Sequence, residues 1–454
     1  MIKIEYKNRM DELKSNPAQA LVLGFAALIL IGATLLNLPI ASLNGKSIGF
    51  IDALFTSASA VCVTGLIVVN TAAHWTIFGK VVILVLIQIG GLGFMTMATL
   101  VSLLIGKKIT LKDRLIMQEE LNQFTLSGLV KLTRYIIIAT FVIETLGALF
   151  LSTKFIPTYG LGKGIWFSIF HSISAFCNAG FDIIGNSMEP FVGSFIVNIT
   201  VSVLVIVGGL GYSVYINLTE TRKFKRLLLH TKLVLILTAI FLIIGFVFFL
   251  IVEYNNPETI GNLSFSNKIL ASFFQSVVPR TAGFNSVSMA GVNNATSFMI
   301  IILMFIGGSP SSTAGGIKTT TIGVVFIAIM SVIKGDTDVE VFKRRIPYEI
   351  VFRALAVVGI GILIVTIVIM VLSITEHNTK FTFIDVAFES VSAFATVGLS
   401  RGLTPYLSNI GRIIIIITMF IGRLGPLTMA FAFAKIRRDK KGLYRYPEER
   451  ITVG

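Results

Sequence analysis

Long apolar stretches alternate with short basic ones along the whole chain. A helix needs about 20 mostly apolar residues to cross a bilayer, and eight stretches meet that length. They are residues 18–41, 78–105, 130–152, 192–218, 231–253, 296–333, 349–375 and 409–435. Between the members of each successive pair lies a shorter segment, too short to span: 50–66, 166–181, 266–284 and 382–399. The pattern predicts four units, each consisting of a helix, a re-entrant half-helix with a loop, and a second helix.

The four short segments are copies of one sequence. They read FTSASAVCVTGL at 55–66, FHSISAFCNAGF at 170–181, FFQSVVPRTAGF at 273–284 and FESVSAFATVGL at 388–399. They align without gaps on Gly65, Gly180, Gly283 and Gly398, which are 115, 103 and 115 residues apart. Four copies at a long, near-constant period indicate one structural unit used four times, and four units can surround an axis.

We therefore predict an all-α polytopic membrane protein. Its four parallel helix–pore loop–helix repeats would supply eight transmembrane helices and four re-entrant half-helices around a central pore. The predicted repeats are 18–105, 130–218, 231–333 and 349–435, within a single membrane domain at 1–435. Residues 436–454 are predicted to form a cytoplasmic tail.

Composition and charge distribution agree with a bilayer as the chain's surroundings. Apolar residues make up 54% and charged residues 13% of the chain, whereas soluble domains carry about 25% charged residues. The net charge of +15 could suggest nucleic-acid binding. However, 27 of the 38 Lys and Arg residues fall within 1–15, 107–134, 222–232, 334–353 and 435–450. These segments lie between repeats and at both ends, so the positive-inside rule predicts that both termini are cytoplasmic. Because this rule accounts for the excess of basic residues, we predict no nucleic-acid partner.

The repeated glycine segments are candidates for a cation filter. Non-helical backbone at membrane depth must be buried in protein or line water, and glycine lets neighbouring carbonyls point the same way. Each half-helix also directs its negative C-terminal end at the loop, which favours a cation. The candidate filter residues are Val63, Thr64, Gly65, Asn178, Ala179, Gly180, Thr281, Ala282, Gly283, Thr396, Val397 and Gly398. The alternative is that these glycines only allow close helix packing.

The second helix of each unit carries a repeated glycine motif. It reads IGGLGF at 89–94, VGGLGY at 207–212, IGGSPS at 306–311 and IGRLGP at 421–426. The third copy continues with a proline, further glycines and several hydroxyls, which cannot form a lipid-facing helix. We predict a broken helix there, and spanning helices in the other three repeats in which paired glycines allow close approach or bending. The spacing does not match a phosphate-binding loop.

This broken segment and one late arginine are candidates for a gate. Arg423 lies at membrane depth, where a charge must face protein or water, and exposed loop carbonyls would suit its donors. It could be a structural anchor or part of the gate, and the sequence leaves both open. The candidate gate residues are Gly307, Gly308, Ser309, Pro310, Ser311, Ser312, Thr313, Ala314, Gly315, Gly316, Lys318 and Arg423.

Other polar residues within the repeats have simpler predicted roles. Asp52 and Asp385 stand thirteen residues before their glycines and are predicted helix N-caps, with attraction of cations as the alternative role. Cys62 and Cys177 are predicted to be buried free thiols. His171 is followed by a serine, but adjacent side chains diverge on a helix, so they form a poor catalytic pair.

Two other classes of function are disfavoured on these observations. An intramembrane enzyme would need a nucleophile–base pair or a metal cluster, and neither stands out in the sequence. A secondary transporter with inverted repeats would need alternating repeat orientation. Here all four repeats start on the same side, which suits a pore.

These motifs together resemble the Trk/Ktr/HKT superfamily of potassium transporters, in particular its Ktr-type membrane subunits. The resemblance covers residues 18–435 and implies bound potassium at Gly65, Gly180, Gly283 and Gly398. It also implies potassium uptake, a gate at 307–318 with Arg423 as the family arginine, and sodium as a possible co-ion, with no other cofactor. The implied setting is the bacterial plasma membrane. The implied partners are a second copy of the chain and a separate cytosolic ring of nucleotide-binding regulatory subunits.

Overall fold

The structure is a computed structural model. It describes residues 17–93, 96–100, 109, 111–120, 129–221, 223–377, 379–433 and 449. Within these ranges the chain is mostly helical, and the four predicted units are present, each with an outer helix, a short pore helix and an inner helix. The predicted boundary between the membrane domain and the tail at 436–454, and the tail itself except for residue 449, lie outside the described residues. This division therefore stays a prediction.

The outer helices are unbroken and long enough to span a bilayer. They are α1 (Pro17–Leu36), α6 (Leu129–Tyr159), α10 (Leu229–Glu253) and α14 (Tyr348–Thr375). At a rise of about 1.5 Å per residue, even the shortest covers the hydrocarbon core. Their exposed side chains include large apolar ones such as Ile31, Phe150, Ile251 and Leu363. An exposed apolar belt of this kind is unfavourable in water and suits lipid.

The pore helices are too short to cross a membrane, as predicted. They are α2 (Phe50–Val61), α7 (Leu161–Phe176), α11 (Phe265–Val277) and α15 (Phe383–Phe394). Each packs against its own outer helix. Phe55, Phe170 and Phe388 have no exposed surface, whereas the fourth equivalent residue, Phe273, is partly buried. The pore helices therefore form the centre of the core, and the outer helices surround them.

All four inner helices are broken, where the sequence predicted a break in the third alone. Their halves are α4 (Ile77–Leu92) with helical residues 96–100, α8 (Phe195–Leu210) with α9 (Tyr212–Glu220), α12 (Asn294–Phe305) with α13 (Thr319–Lys334), and α16 (Asn409–Leu424) with α17 (Pro426–Phe433). The predicted spans at 78–105, 192–218 and 409–435 are therefore each interrupted by a break, which the sequence analysis did not predict.

The cause of the three additional breaks is the last glycine of each motif. Gly93, Gly211 and Gly425 have φ of 88°, 89° and 87°, values that a right-handed helix cannot contain and that glycine adopts at little cost. The two halves of the span meet at 91° in the second repeat and at 96° in the fourth. In the third repeat the break is a whole loop, as predicted, and it runs from α12 to α13.

Short elements join the repeats on the side predicted to be cytoplasmic. Helix α5 (Leu111–Glu120) lies between the first two repeats. Helix α3 (Thr71–His74), by contrast, is a single turn within the first repeat and lies on the opposite side. Between the third and fourth repeats, β1 (Glu340–Val341) pairs antiparallel with β2 (Arg344–Arg345). Val339 and Ile346 bury this hairpin's base against α13 and α14. The basic segment 435–450 lies outside the described residues except for residue 449.

Candidate functional site

The four glycine segments share one unusual backbone conformation. The residue two before each glycine has a positive φ: Val63 57°, Asn178 60°, Thr281 73° and Thr396 51°. The glycines are also positive, at 95°, 68°, 71° and 90° in chain order. The residue between these two positions does not have a positive φ. The sign of φ therefore alternates along each segment, which turns successive carbonyls towards one side. A left-handed conformation costs a residue other than glycine about 1–2 kcal/mol, and such strain concentrates at functional sites.

The four segments meet around one axis. A methyl group built on Gly65 would collide with the Ala179 carbonyl oxygen, and one built on Gly180 would lie 2.6 Å from the Gly283 Cα. On Gly283 the methyl would lie 2.7 Å from the Val397 carbonyl oxygen. On Gly398 it would collide with the carbonyl oxygen of Thr64, in the first segment. The order of contacts is therefore first, second, third, fourth and back to first, which closes a ring.

Among the twelve candidate filter residues, most backbone N–H groups donate hydrogen bonds, whereas the carbonyl oxygens accept none from the described residues. The Thr64 and Val397 amides donate to the carbonyls of Ser59 and Ser392, each at 2.8 Å. Across the described residues, no backbone or side-chain donor reaches the carbonyl oxygens of the twelve candidate filter residues. Carbonyls at membrane depth without a protein donor are available to a cation, which can exchange its hydration shell for them.

Serine side chains at one position support the ring, and they were missed from the sequence. Six residues before the glycine stand Ser59, Ser174 and Ser392, and in the third repeat Val277. The Gly65 amide donates to the Ser59 hydroxyl at 3.0 Å, and Gly398 does the same to Ser392 at 3.1 Å. Ser174 instead donates to the Phe181 carbonyl at 2.8 Å. The recurrence of serine in three of the four copies was the available signal.

A polar contact joins the second and third segments. The Asn178 side-chain amide and the Thr281 hydroxyl are hydrogen-bonded at 3.1 Å. Both residues are fully buried. This pair ties neighbouring repeats together at the end of the ring that faces the broken third inner helix.

The predicted gate segment lies directly below the ring. Its Ser309 amide donates to the Gly209 carbonyl at 2.9 Å, and the Thr313 hydroxyl donates to the Gly208 and Phe176 carbonyls at 3.0 and 3.2 Å. Gly315 packs against the Thr396 side chain so closely that a Cβ would collide with it. The segment thus contacts the second inner helix and the second and fourth filter segments at once.

The two basic gate candidates both bind carbonyls. Arg423 donates to the Thr313 carbonyl of the loop and to the Gly90 and Gly91 carbonyls of the first inner helix, the last at 3.2 Å. The Lys318 ammonium donates to the Ala314 carbonyl at 2.6 Å, within the loop itself. Arg423 therefore connects three parts of the chain: the fourth inner helix, the loop and the first inner helix.

Two acidic residues differ from their predicted role. The N-cap of α2 is Gly49 and that of α15 is Thr382, so Asp52 and Asp385 occupy the third helical position. Asp385 completes a capping box with Thr382. It also forms an ion pair with Arg401, which follows the fourth filter segment.

Arginines that sequence analysis did not select neutralise both carboxylates. Arg401 lies 2.6 Å from Asp385, and Arg412 lies 2.5 Å from Asp52. Arg401 also donates to the Val292 carbonyl at 2.9 Å and to the Ser297 hydroxyl at 2.6 Å. It therefore fastens the loop after the fourth filter segment to the third repeat, which is a structural task.

The remaining polar candidates have structural partners. The His171 ring contacts the Phe167 carbonyl at 2.7 Å, whereas the Ser172 hydroxyl donates to the Glu144 carbonyl at 2.6 Å, so the two side chains diverge. The buried Glu389 of α15 also has structural partners, since it accepts hydrogen bonds from Ser400 and Thr404. Cys62 and Cys177 are buried free thiols, as predicted. Among the described residues, no cluster of His, Cys, Asp and Glu could hold a metal.

Comparisons with known proteins agree with this architecture. The chain is 44% identical to Ktr system potassium uptake protein B of Bacillus subtilis (strain 168), over 97% of this chain and 98% of that protein. It is 44% identical to the potassium/sodium uptake protein NtpJ of Enterococcus hirae, over 97% of each. The crystal structure of the potassium transporter TrkH from Vibrio parahaemolyticus has the same fold, with a TM-score of 0.70 at 17% identity. That match covers 91% of this chain and 84% of the other.

A family profile identifies the chain as a whole. The TrkH profile, described as cation transport protein, matches residues 10–442. With the apolar spans, it identifies a multi-pass protein of the bacterial plasma membrane, and a transporter rather than an enzyme. The chain belongs to the TrkH family of cation transport proteins.

Proposed function

We propose that this chain is the membrane subunit of a bacterial potassium uptake system. Potassium would pass through the ring formed by the four glycine segments and bind at Gly65, Gly180, Gly283 and Gly398. The carbonyl oxygens of the twelve filter residues, which accept no hydrogen bond from the described protein, carry this proposal. The relatives support potassium as the ion, since their names describe potassium or potassium/sodium uptake.

The loop from Gly307 to Lys318 would act as an intramembrane gate. It lies below the filter and packs against Thr396, and Arg423 holds one of its carbonyls. In this arrangement the loop obstructs the path, and the positive charge of Lys318 opposes a passing cation. Opening would require the loop to leave the axis, with loss of the Arg423 contacts.

A separate cytosolic nucleotide-binding subunit would control this gate. Three relatives are named as parts of a Ktr system, and the hairpin after the third repeat presents Lys343, Arg344 and Arg345 at an exposed surface. Basic side chains suit an acidic or nucleotide-bearing partner. The chain would act as a homodimer. Sodium would be a possible co-ion, and no cofactor beyond the transported ions would be needed.

Growth of a potassium-uptake-deficient bacterium tests this function. We expect the chain, expressed with its regulator, to restore growth on low potassium, and the empty vector to fail. Uptake of labelled rubidium by the same cells separates potassium transport from a general growth effect. Failure to restore both, with the protein present in the membrane, would contradict the proposal.

A further inference from the structure

The glycines that follow α4, α8 and α16 leave space beside them, and each space is filled differently. A methyl group built on Gly425 would meet none of the described residues within 4 Å, whereas one built on Gly211 would collide with the Pro310 carbonyl. A methyl group built on Gly93 would lie 2.6 Å from the carboxyl carbon of Glu120, at the end of α5. The helix that connects the first two repeats therefore places a carboxylate at the break of the first inner helix.

The Glu120 carboxylate caps the second half of that inner helix. The Met97 amide donates to the Gly93 carbonyl at 3.2 Å, so Gly93 occupies the N-cap position of this half. A serine or aspartate at an N-cap accepts the N–H of the residue three further on, but glycine has no side chain. Here Glu120 accepts that N–H, which belongs to Thr96, at 3.2 Å. The carboxylate also carries the charge that the N-terminal end of a helix favours.

Packing of α5 holds Glu120 in this place. Ile116 and Met117 of α5 are buried, and the Thr99 hydroxyl of the half-helix lies 3.4 Å from the Met117 sulfur. Helix α5 also packs against the outer helices α1 and α6. Its residue Glu119, by contrast, is exposed. Of these two neighbouring carboxylates, only Glu120 therefore points at the break.

Arg423 binds the same break from its other side. It donates to the Gly90 and Gly91 carbonyls, in the last turn of α4, and to the Thr313 carbonyl of the gate loop (307–318). In an unbroken helix the Gly90 and Gly91 carbonyls and the amide that Glu120 binds would bond within the helix. The break therefore supplies Arg423 with two of its three acceptors, and Glu120 occupies the opposite half of the same break.

Charge also connects Glu120 with the gate. Arg423 and Lys318 lie near enough to interact electrostatically, and within the part of the chain that the structure describes neither forms an ion pair. Buried positive charges need a compensating negative one. Glu120 acts electrostatically on Arg423, whereas the other side chains recorded to do so are thiols and a phenol, which are uncharged in their ordinary state at pH 7.

We propose that Glu120 is a positioning residue for Arg423. Its carboxylate, carried by the connector helix, holds the first inner helix in the broken shape that turns the Gly90 and Gly91 carbonyls to Arg423. It also compensates part of the positive charge that Arg423 and Lys318 bring to the gate. This role rests on the proposed function, because it makes the connector helix a part of what keeps the gate loop closed.

Glu120→Gln removes the charge and keeps the shape of the side chain. We expect potassium flux into liposomes without a regulator to rise by roughly two- to tenfold, the scale of a charge lost from a helix N-terminus. Addition of Glu120→Gln to Arg423→Ala should cause no further rise, because Glu120 acts through Arg423. Glu119→Gln, which removes the neighbouring exposed carboxylate, is the matched control and should behave like the parent protein.

Hydrogen exchange in detergent supplies a readout that does not need transport. In Glu120→Gln, peptides that cover 96–100 and peptides that cover the gate loop should both exchange several-fold faster than in the parent protein. A cap with a purely local role would change only the first set of peptides. Glu119→Gln should change neither set. If Glu120→Gln does not fold, Glu120→Asp, which withdraws the carboxylate by one methylene group, takes its place with the same expectation.

Two outcomes would overturn the proposal. One is an unchanged exchange rate of the gate loop in the folded Glu120 variant, which would make Glu120 a local helix cap. The other is an additive rise in flux when Glu120→Gln is combined with Arg423→Ala. Absence of potassium flux in the parent protein and in every variant would instead contradict the proposed function, and the exchange measurement would still decide whether Glu120 positions Arg423.

Discussion

The first and fourth repeats support their filter segments differently from the third. In the first and fourth, Ser59 and Ser392 accept the filter glycine's N–H. Their inner helices also press a glycine against the end of the pore helix: a Cβ on Gly90 or on Gly422 would collide with a pore-helix carbonyl. The third repeat has Val277 in place of the serine. Its first inner glycine packs on its own loop instead of on the pore helix.

Despite this difference, the backbone of the third filter segment matches the others. Thr281 and Gly283 have the same positive φ as their counterparts. The ring's shape is therefore common to all repeats, whereas the contacts that hold it are not. The third repeat uses its inner-helix glycines to form a loop below the filter. We infer that selectivity belongs to the fourfold ring and that gating belongs to the third repeat.

The largest expected effect comes from breaking the ring itself. In Gly398→Ser the new side chain would collide with the Thr64 carbonyl, at a φ of 90° that serine resists. Strain of about 1–2 kcal/mol from the backbone and about 1–3 kcal/mol from overpacking would displace the carbonyls. We expect potassium uptake to fall by at least about tenfold, with a loss of preference over sodium. Gly359→Ser, at a helix position with open space around it, is the control and should transport normally.

A variant of the gate should separate the two functions. Arg423→Ala removes hydrogen bonds to three carbonyls, and bonds to a charged group contribute about 1.5–3 kcal/mol each. We expect a several-fold rise in potassium flux into liposomes without a regulator, with potassium preference unchanged. Deletion of 311–315 should act in the same way. A folded variant with flux no higher than the parent would show that the segment is only a structural break.

Serine substitutions sharpen the contrast between repeats. Ser59→Ala and Ser392→Ala each leave a buried glycine N–H without its acceptor, which costs about 1–3 kcal/mol. We expect several-fold lower potassium preference in competitive uptake with sodium. Ser174→Ala should have a smaller effect, because Ser174 does not accept the glycine N–H. Equal effects of all three variants would contradict the proposed role of these hydroxyls.

The smallest effect is expected at the cytosolic hairpin that follows the third repeat. Charge reversal at Lys343, Arg344 and Arg345 should weaken binding of the regulator, by up to about 1 kcal/mol for each exposed charge. The loss should be larger at low salt, where charges act over longer distances. Reversal of three exposed lysines near the opposite ends of the spans is the matched control: Lys46, Lys154 and Lys163. Equal binding by both triple variants would argue against this docking surface.

Much of the fold followed from the repeat, because a gapless fourfold pattern leaves few arrangements. The breaks at Gly93, Gly211 and Gly425 could not be predicted from the repeat, since a glycine in an apolar helix is also compatible with simple close packing. The last glycine of each motif was visible in the sequence, but the φ that it adopts depends on how the two half-helices pack. Arg401 was missed for a similar reason: its partner Asp385 is sixteen residues away, and only the folded loop brings the two together.

Anomalous diffraction from crystals grown in thallium or rubidium would test the central claim most directly, since both ions substitute for potassium. The account predicts peaks on the axis enclosed by the carbonyls of the four glycine segments, within coordinating distance of residues such as Thr64 and Val397. In Gly398→Ser crystals the peak nearest that glycine should weaken, whereas in Gly359→Ser crystals all peaks should remain. Peaks elsewhere in the parent protein, with none on this axis, would contradict the assignment of the ring as the filter.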